Sequence, residues 1–126
     1  MATDQARTLR RPLAGEGKPI RTGLLLLPNF SLLGVIAAID VMRHANRLSR
    51  KELYIWHTYS PNGDAVRASN GLVLNAERMP YPIGLLDAGG VCGGFNPESF
   101  KDPLVFKWLR GLARRVVRLG AVTTGA

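Results

Sequence analysis

The sequence contains few of the residues from which catalytic and metal sites are usually built. It has one cysteine and two histidines among 126 residues. A single cysteine excludes an internal disulfide and is compatible with a reducing compartment, so we expect a cytoplasmic protein. Neither His44 nor His57 has a second ligand at metal-binding spacing. We therefore predict no metal site and no bound cofactor.

Long hydrophobic segments are also absent. The apolar run from Ile20 to Leu27 is interrupted by Arg21 and is far shorter than the roughly 20 residues of a membrane-spanning helix. The N-terminus is charged and has no apolar region before a small-residue cleavage site, as a signal peptide would have. We therefore expect no association with a membrane.

Acidic residues are few, with 9 Asp and Glu against 17 Lys and Arg, which gives a net charge of +8. A charge of this size suggests a nucleic-acid partner. Three arginines, however, lie in a leader punctuated by glycine and proline, and four more lie on or just after one amphipathic helix. A disordered leader and a solvated helix face account for them. No DNA-binding motif is evident, so we do not expect this stretch to recognise DNA alone.

The length fits one small domain, which we place at residues 19–126 behind a disordered basic leader at residues 1–18. Hydrophobic patterning and turn residues predict strand, helix, strand, hairpin, strand, helix and strand. These span Ile20–Leu27, Ser31–Leu48, Leu53–Tyr59, Ala65–Leu74 around Asn70-Gly71, Ile83–Val91, the segment after Asp102-Pro103, and Val117–Val122. This order predicts a three-layer α/β sheet.

Each of the two helices has a predicted buried stripe at helical spacing. On the first helix the stripe consists of Leu32, Leu33, Ile36, Ile39, Val41, Met42 and Ala45. On the second it consists of Phe106, Leu109, Leu112, Ala113 and Val116. Trp56 and Trp108 are predicted to be core or interface residues.

The last seven residues, Gly120–Ala126, predict a strand that enters a tight turn of the kind that opens a helix. Such an elbow presents one side chain, here Thr123, at the carboxyl edge of a sheet. A threonine hydroxyl without a base is a poor nucleophile, so the pattern has the architecture of a catalytic site without its chemistry. The alternative is that Thr123 only caps a helix.

A second turn, Gly93-Gly94, ends a neighbouring predicted strand at the same edge. Glycine permits close approach, so these residues can direct backbone N–H groups at a ligand oxygen. The alternative is a simple strand-to-helix turn. For the preceding Cys92 we favour a small buried core residue over a nucleophile, because no histidine or cation is near it in sequence.

Five segments together resemble the N-terminal domain of GlxA-type transcriptional regulators of the AraC/XylS class, a domain similar to the PfpI amidase-like superfamily. The resemblance runs from about residue 20 to the end of the chain. The segments are Leu27–Ser31, Asp40–Leu48, Ala68–Leu72, Val91–Gly94 and Gly120–Ala126.

The resemblance implies a flavodoxin-like sheet of mostly parallel strands with helices on both faces, incomplete at its C-terminus. In catalytic relatives the elbow residue is a cysteine, and Thr123 matches that position. The acidic partner of those relatives would fall near Gly34, and their histidine would lie beyond Ala126. The family's domain continues into further strands and two helix-turn-helix motifs, so we expect that this chain has been cut short.

The resemblance further implies a non-catalytic, effector-sensing and homodimerising domain that reaches DNA only through a helix-turn-helix domain absent from this chain. We expect a small polar metabolite in a pocket lined by Thr123, Thr124, Gly93, Gly94, Asn70 and Asn29. One alternative is an amidase, glyoxalase or deglycase, which would need a reactive Cys92. Another is an inactive structural fragment.

Overall fold

The computed structural model describes residues 17–79, 86–94, 102–115 and 118–122. Most of the predicted leader and the predicted connector from Pro80 to Pro82 lie outside these ranges. The described elements, in chain order, are β1 (Ile20–Leu26), α1 (Leu32–Ser49), β2 (Tyr54–Ser60), β3 (Val66–Arg67), β4 (Val73–Leu74), β5 (Glu77–Arg78), β6 (Ala88–Cys92), α2 (Pro103–Arg114) and β7 (Arg118–Val122).

Five of the strands form one parallel sheet in the order β5-β2-β1-β6-β7. The central strand β1 pairs with β2 from Ile20 opposite Tyr54 onward, and with β6 as far as Leu26 opposite Cys92. Strands β3 and β4 form a separate antiparallel hairpin, as the Asn70-Gly71 pair predicted. The predicted α/β class with mostly parallel strands is confirmed.

Alternate residues of β1 belong to two separate cores, because successive side chains of a strand point to opposite faces. Leu24 and Leu26 join a cluster that contains Val35 of α1. Leu25 and Leu27, the residue directly after the strand, join a cluster that contains the buried residues of α2, namely Val105, Trp108 and Leu112. The two helices therefore cover opposite faces of the sheet, and the three predicted layers are present.

Helix α1 begins as predicted, because the Ser31 hydroxyl accepts a hydrogen bond from the Gly34 N–H at 3.4 Å. The predicted buried stripe was wrong in part. The only fully buried side chain of α1 is Val35, whereas Leu33 and Val41 are 80% and 69% exposed. Their positions lie on the face opposite Val35, so apolar character alone placed them in the core incorrectly.

Helix α2 also begins as predicted, with Pro103 in its first turn and the Asp102 carboxylate accepting the Leu104 N–H at 3.0 Å. Its predicted stripe was correct at Leu112, which is buried, and at Leu109, which packs against the same core, but it was wrong at Phe106 and Ala113. Val105 and Trp108 are buried, and Phe106 is 46% exposed. Apolar residues occupy consecutive positions in the first turn, so the sequence pattern does not determine which face packs against the sheet. Within the described residues, neither helix is long and apolar enough to cross a membrane.

One strand that was not predicted is present, and the start of another differs from the sequence expectation. Strand β5 was not predicted, because its two residues, Glu77 and Arg78, are charged; it pairs with the end of β2 at the edge of the sheet. Strand β6 begins at Ala88 rather than at Ile83, which lies outside the described residues. The residue before β6, Asp87, exchanges hydrogen bonds with the Arg21 backbone, its carboxylate accepting the N–H at 2.9 Å.

Candidate ligand-binding site

The chain changes direction across the sheet at β1. From β1 it passes through α1 to β2 on one side, and it later returns to β6 on the other side. Strands β1 and β6 are parallel, so both end at the same edge. In open α/β sheets, ligands bind in the crevice outside the carboxyl ends of two such strands. The candidate site therefore lies where β1 and β6 end.

The turn after β1 is held against the end of β6. The Leu27 N–H donates to the Cys92 carbonyl at 3.0 Å, and the Ser31 N–H donates to the Gly93 carbonyl at 3.1 Å. Between them, Asn29 has a φ of 65°, a left-handed conformation that asparagine adopts more readily than most residues. Asn29 is exposed, so the turn carries its amide side chain at the carboxyl edge of the sheet.

Phe30 is the residue at which the neighbouring segments meet. It is completely buried, and its backbone bridges Ala68 of the hairpin on one side and Gly94 on the other. The Phe30 carbonyl accepts the Ser69 N–H at 2.9 Å, and the N–H of the preceding Asn29 donates to the Arg67 carbonyl at 3.0 Å. The β1–α1 turn, the hairpin and the end of β6 are thus joined by backbone hydrogen bonds.

The two glycines after β6 have distinct structural roles. The Gly93 N–H donates to the Val122 carbonyl at 3.3 Å, which extends the pairing of β6 with β7. Gly94 lies against the backbone of the β1–α1 turn, where a Cβ would overlap the Asn29 carbonyl oxygen and come within 3.1 Å of the Ser31 nitrogen. A side chain at Gly94 would prevent this close approach. The requirement for glycine at this position comes from backbone packing.

Asn70 lies at the tip of the hairpin. Its side-chain oxygen accepts the Leu72 N–H at 3.0 Å, and the next residue, Gly71, has a φ of 89°. The Gly71 N–H donates to the Ala68 carbonyl at 3.0 Å, which closes the turn. Because Ala68 is paired with Phe30, the hairpin tip is anchored to the β1–α1 turn.

The two threonines predicted for the site, Thr123 and Thr124, lie outside the described residues. Strand β7 is described as far as Val122, which is in register with Cys92 at the end of β6. The structure therefore joins the segments of Asn29, Asn70, Gly93 and Gly94 by hydrogen bonds and leaves the position of the threonines as a prediction.

A cleft of about 260 Å³ opens on the β2 side of Asn29. It separates the β1–α1 turn from the loop after β2, and its polar lining includes Asn62, Asp64 and Arg67. The Ser60 hydroxyl is buried at the base of that loop and donates to the Asp64 carbonyl at 2.7 Å. Sequence reasoning did not select these residues. The signal was present, because Pro61-Asn62-Gly63 is a turn that follows the strand beside β1.

Comparison with known proteins identifies the family. A solved structure of an AraC family transcriptional regulator from Pseudomonas putida is 32% identical and superposes with a TM-score of 0.78. The match covers 86% of this chain and 67% of that one. The chain belongs to the AraC family of transcriptional regulators. No protein-family model matches it.

Curated relatives agree with an assignment to transcriptional regulators. The HTH-type transcriptional regulator CdhR of Pseudomonas aeruginosa is 40% identical over 102 residues, and GlxA of Rhizobium meliloti is 31% identical over 107 residues. The matches cover 81% and 84% of this chain but only 30% and 33% of the relatives. The chain thus spans about a third of their length. The GlxA-type resemblance is confirmed.

The fold assignment has separate support. A DJ-1 superfamily protein from Agrobacterium tumefaciens is 15% identical and matches with a TM-score of 0.61, over 81% of this chain and 52% of that one. At this level of identity the match concerns the fold alone. The AraC-family chain therefore has a DJ-1/PfpI-type α/β sheet, as expected from the resemblance.

Cys92 of this AraC-family chain is a core residue, as predicted. Its side chain is completely buried in the cluster beneath α1. Burial raises the pKa of the Cys92 thiol to about 12. Because the thiolate is the nucleophilic form, a thiol with this pKa is almost entirely unreactive near neutral pH. The burial of Cys92 therefore does not support the amidase alternative, which depends on a reactive Cys92.

The two histidines lie away from the carboxyl edge. His57 contacts Glu77 at 2.7 Å and stacks on Tyr59, and His44 contacts Arg43 at 3.2 Å on the outer side of α1. Among the residues that the structure describes, no three His, Cys, Asp or Glu side chains form a group that could hold a metal ion.

Proposed function

We propose that this chain is the effector-sensing part of an AraC-family transcriptional regulator and binds a small polar metabolite at the carboxyl edge of β1 and β6. Six residues would line the pocket: Asn29, Asn70, Gly93, Gly94, Thr123 and Thr124. Amide, hydroxyl and backbone groups in a concave site suit a small polar ligand. The relatives named above are transcriptional regulators, and this supports a role in regulation.

The observation that carries the proposal is the backbone pairing of Phe30 with both Ala68 and Gly94. This pairing joins the Asn29 turn, the hairpin tip and the end of β6 at the point where ligands bind in open α/β sheets. A ligand seated there would contact segments that are distant in sequence. It would therefore stabilise their relative arrangement.

We further propose that the site binds its ligand without transforming it. The elbow position is occupied by Thr123, and the buried Cys92 thiol is too weakly acidic to replace an elbow cysteine. Recognition without turnover is the chemistry that a sensor requires.

The response would pass through a dimer to a DNA-binding segment outside this chain, in the cytoplasm. The names of the relatives, HTH-type regulators, support a separate helix-turn-helix segment. A ligand changes the arrangement of such a dimer only when it binds one arrangement more tightly than another. We expect the effector to have this differential affinity.

Thermal unfolding in the presence of a panel of small amino acids, amines and hydroxy acids tests the proposal. A true effector raises the melting temperature in a concentration-dependent manner. The variant Asn29→Gly removes the side-chain amide but tolerates a φ of 65°, and it should weaken the shift. Arg50→Gly is the matched control, because Arg50 has a φ of 56° at the far end of α1. A shift that both variants retain in full would contradict a site at Asn29.

A further inference from the structure

A second cleft opens on the α2 side of the sheet, between α2 and the carboxyl end of β2. Three stretches of the chain that are distant in sequence line it: the turn after β2, the strand β5 with the residue that follows it, and the first turns of α2. The cleft has a volume of about 250 Å³, and its lining residues are Pro61, Arg78, Met79, Leu104, Lys107 and Trp108.

Two apolar side chains of this cleft are fixed by the core beneath α2. Trp108 is 3% exposed and meets Tyr59 edge to face, with the two ring centres 6.2 Å apart. Met79 packs against the same core, and its N–H donates to the Ser60 carbonyl at 3.2 Å. Side chains that are already held in place lose little conformational freedom when a ligand binds. This part of the cleft is therefore preorganised.

Leu104 adds apolar surface that now contacts water. It lies in the first turn of α2, and it is 62% exposed, whereas the next residue, Val105, is 1% exposed. A ligand seated in the cleft would cover part of the Leu104 side chain, and removing this surface from water favours binding. The cleft thus suits a ligand with an apolar body.

The charged residues that line the cleft are both positive. They are Arg78 of β5 and Lys107 of α2, and the described lining contains no acidic residue. An anion between β5 and α2 would be attracted by both charges. An arginine guanidinium also matches the planar shape of a carboxylate, to which it can donate two parallel hydrogen bonds.

The two carboxylates closest in sequence to these lining residues are engaged in other contacts. Glu77, which precedes Arg78, contacts the His57 ring at 2.7 Å. Asp102, which precedes α2, accepts the Leu104 N–H at 3.0 Å. Neither residue lines the cleft, so neither offsets the positive charge of its lining.

We propose that this cleft is a second ligand site, and that it binds a small carboxylate whose apolar body is about one ring in size. A cavity of about 150 Å³ accommodates benzene, so about 250 Å³ holds a ring with a short acidic side chain. The ring would lie against Leu104, Met79 and Trp108. The carboxylate would lie between Arg78 and Lys107.

The proposed site is distinct from the effector site. None of the six residues proposed for the effector pocket lines it. Pro61 lines both this cleft and the cleft beside Asn29, so the loop after β2 forms a wall between the two. Variants on either side of that loop therefore show which of the two sites a ligand occupies.

Titration with phenylacetate tests the proposal, and phenylacetamide is the neutral control of nearly the same shape. The fluorescence of Trp108 reports binding in a Trp56→Phe chain, because the sequence has two tryptophans and Trp56 lines a different cleft, beside α1. A ligand with about ten non-hydrogen atoms should saturate the site at a few millimolar or below. Phenylacetate should bind about fivefold or more tightly than the amide, because only the carboxylate gains the two cations.

Removing one positive charge from the cleft should weaken carboxylate binding specifically. Lys107→Gln should lower the affinity for phenylacetate by about fivefold and leave that for phenylacetamide unchanged. Lys51→Gln makes the same change in net charge just before β2, at the opposite end of that strand from the cleft, and should have no effect.

A pair of variants at Leu104 tests the same point by adding charge. Leu104→Asp and Leu104→Asn introduce side chains of equal size at an exposed position. Only the aspartate repels a carboxylate, so it should weaken phenylacetate binding more than the asparagine does. Circular dichroism and thermal unfolding establish that each variant is folded.

Three results would each overturn the proposal: no saturable binding of phenylacetate below about 10 mM, equal affinity for the acid and the amide, or equal effects of Lys107→Gln and Lys51→Gln. Asn29→Gly should leave phenylacetate binding unchanged. A loss of binding in Asn29→Gly but not in Lys107→Gln would assign phenylacetate to the effector site and overturn the second site. A thermal-shift panel without an effector, beside specific phenylacetate binding, would contradict only the proposed sensing function.

Discussion

The side-chain amide of Asn46 in α1 forms hydrogen bonds with both the backbone N–H and the backbone carbonyl of Tyr54, the first residue of β2. Its oxygen accepts the N–H of Tyr54 at 2.9 Å, and its nitrogen donates to the Tyr54 carbonyl at 2.9 Å. The same oxygen also accepts the Leu53 N–H at 2.9 Å. One side chain thus fixes where β2 begins relative to α1. Asn46 lies in the segment Asp40–Leu48 that carries part of the family resemblance.

Replacing Asn46 should therefore destabilise the fold. Asn46→Ala removes three hydrogen bonds at a partly buried junction, and we expect a loss of about 2–3 kcal/mol in the free energy of unfolding. Asn46→Asp retains both acceptor interactions but not the donor, so its loss should be smaller. Urea unfolding of the three proteins measures this order. Equal stability of Asn46→Ala and the parent would mean that the junction is held by other contacts.

Gly94→Ala should be among the most damaging single methyl additions in the chain. The new Cβ would overlap the Asn29 carbonyl oxygen, and the backbone of the β1–α1 turn would have to move. We expect a loss of about 2–4 kcal/mol in unfolding free energy. Gly120→Ala is the matched control, because a Cβ there meets nothing within 4 Å, and it should change stability by about 0.5 kcal/mol or less. Similar stabilities of the two variants would contradict the close packing at Gly94.

The orientation of α2 can be tested by paired truncations. Val105 is 1% exposed and Phe106 is 46% exposed. Val105→Ala should cost about 1–2 kcal/mol in unfolding free energy through the cavity that it leaves. Phe106→Ala removes a larger side chain but should cost less, because much of that side chain contacts water. The reverse order in thermal or urea unfolding would restore the stripe predicted from the sequence.

The Cys92 thiol should react very slowly with iodoacetamide at neutral pH. Raising its pKa from 9.0 to about 12 lowers the thiolate fraction by roughly a thousandfold. The rate should rise to that of an unhindered cysteine when the chain is unfolded in urea. Mass spectrometry of the alkylated peptide measures both rates, and rapid modification of the folded chain would revive the nucleophile hypothesis.

The same thiol should make the free energy of unfolding fall at high pH. The unfolded state ionises above pH 9 and the folded state does not until about pH 12, so stability is fully present below pH 9 and is lost between these values. One such group contributes up to about 1.4 kcal/mol per pH unit. Burial also raises the pKa of Tyr59, which acts in the same direction. Cys92→Ala should reduce the slope of the unfolding free energy against pH above pH 9. An unchanged slope would exclude the ionisation of Cys92 as the cause.

The elements that sequence reasoning located correctly have strong local signals. Ser31 and Asp102-Pro103 are helix-start residues, and both start helices; Asn70-Gly71 predicted a hairpin that is present. Strand β5 has no such signal, because it is defined only by pairing with β2. The faces of α1 and α2 depend on contacts with the sheet, which one-dimensional spacing does not contain.

The candidate site was predictable to a similar extent. Glycine and asparagine at strand ends indicated the carboxyl edge of the sheet as the place of the site, and the hydrogen bonds around Phe30 join three of the predicted segments. The structural role of each site residue could not be predicted from the sequence. Gly94 was expected to expose its N–H to a ligand, but its required lack of a side chain is explained by the Asn29 carbonyl. That contact joins residues far apart in the chain.

The division of β1 between two cores has a consequence for how this protein can vary in length. Leu24 and Leu26 pack in the core beneath α1, and Leu25 and Leu27 pack in the core beneath α2. One inserted or deleted residue within β1 would therefore turn each pair toward the wrong helix. Among natural variants, we therefore expect the number of residues in β1 to stay constant.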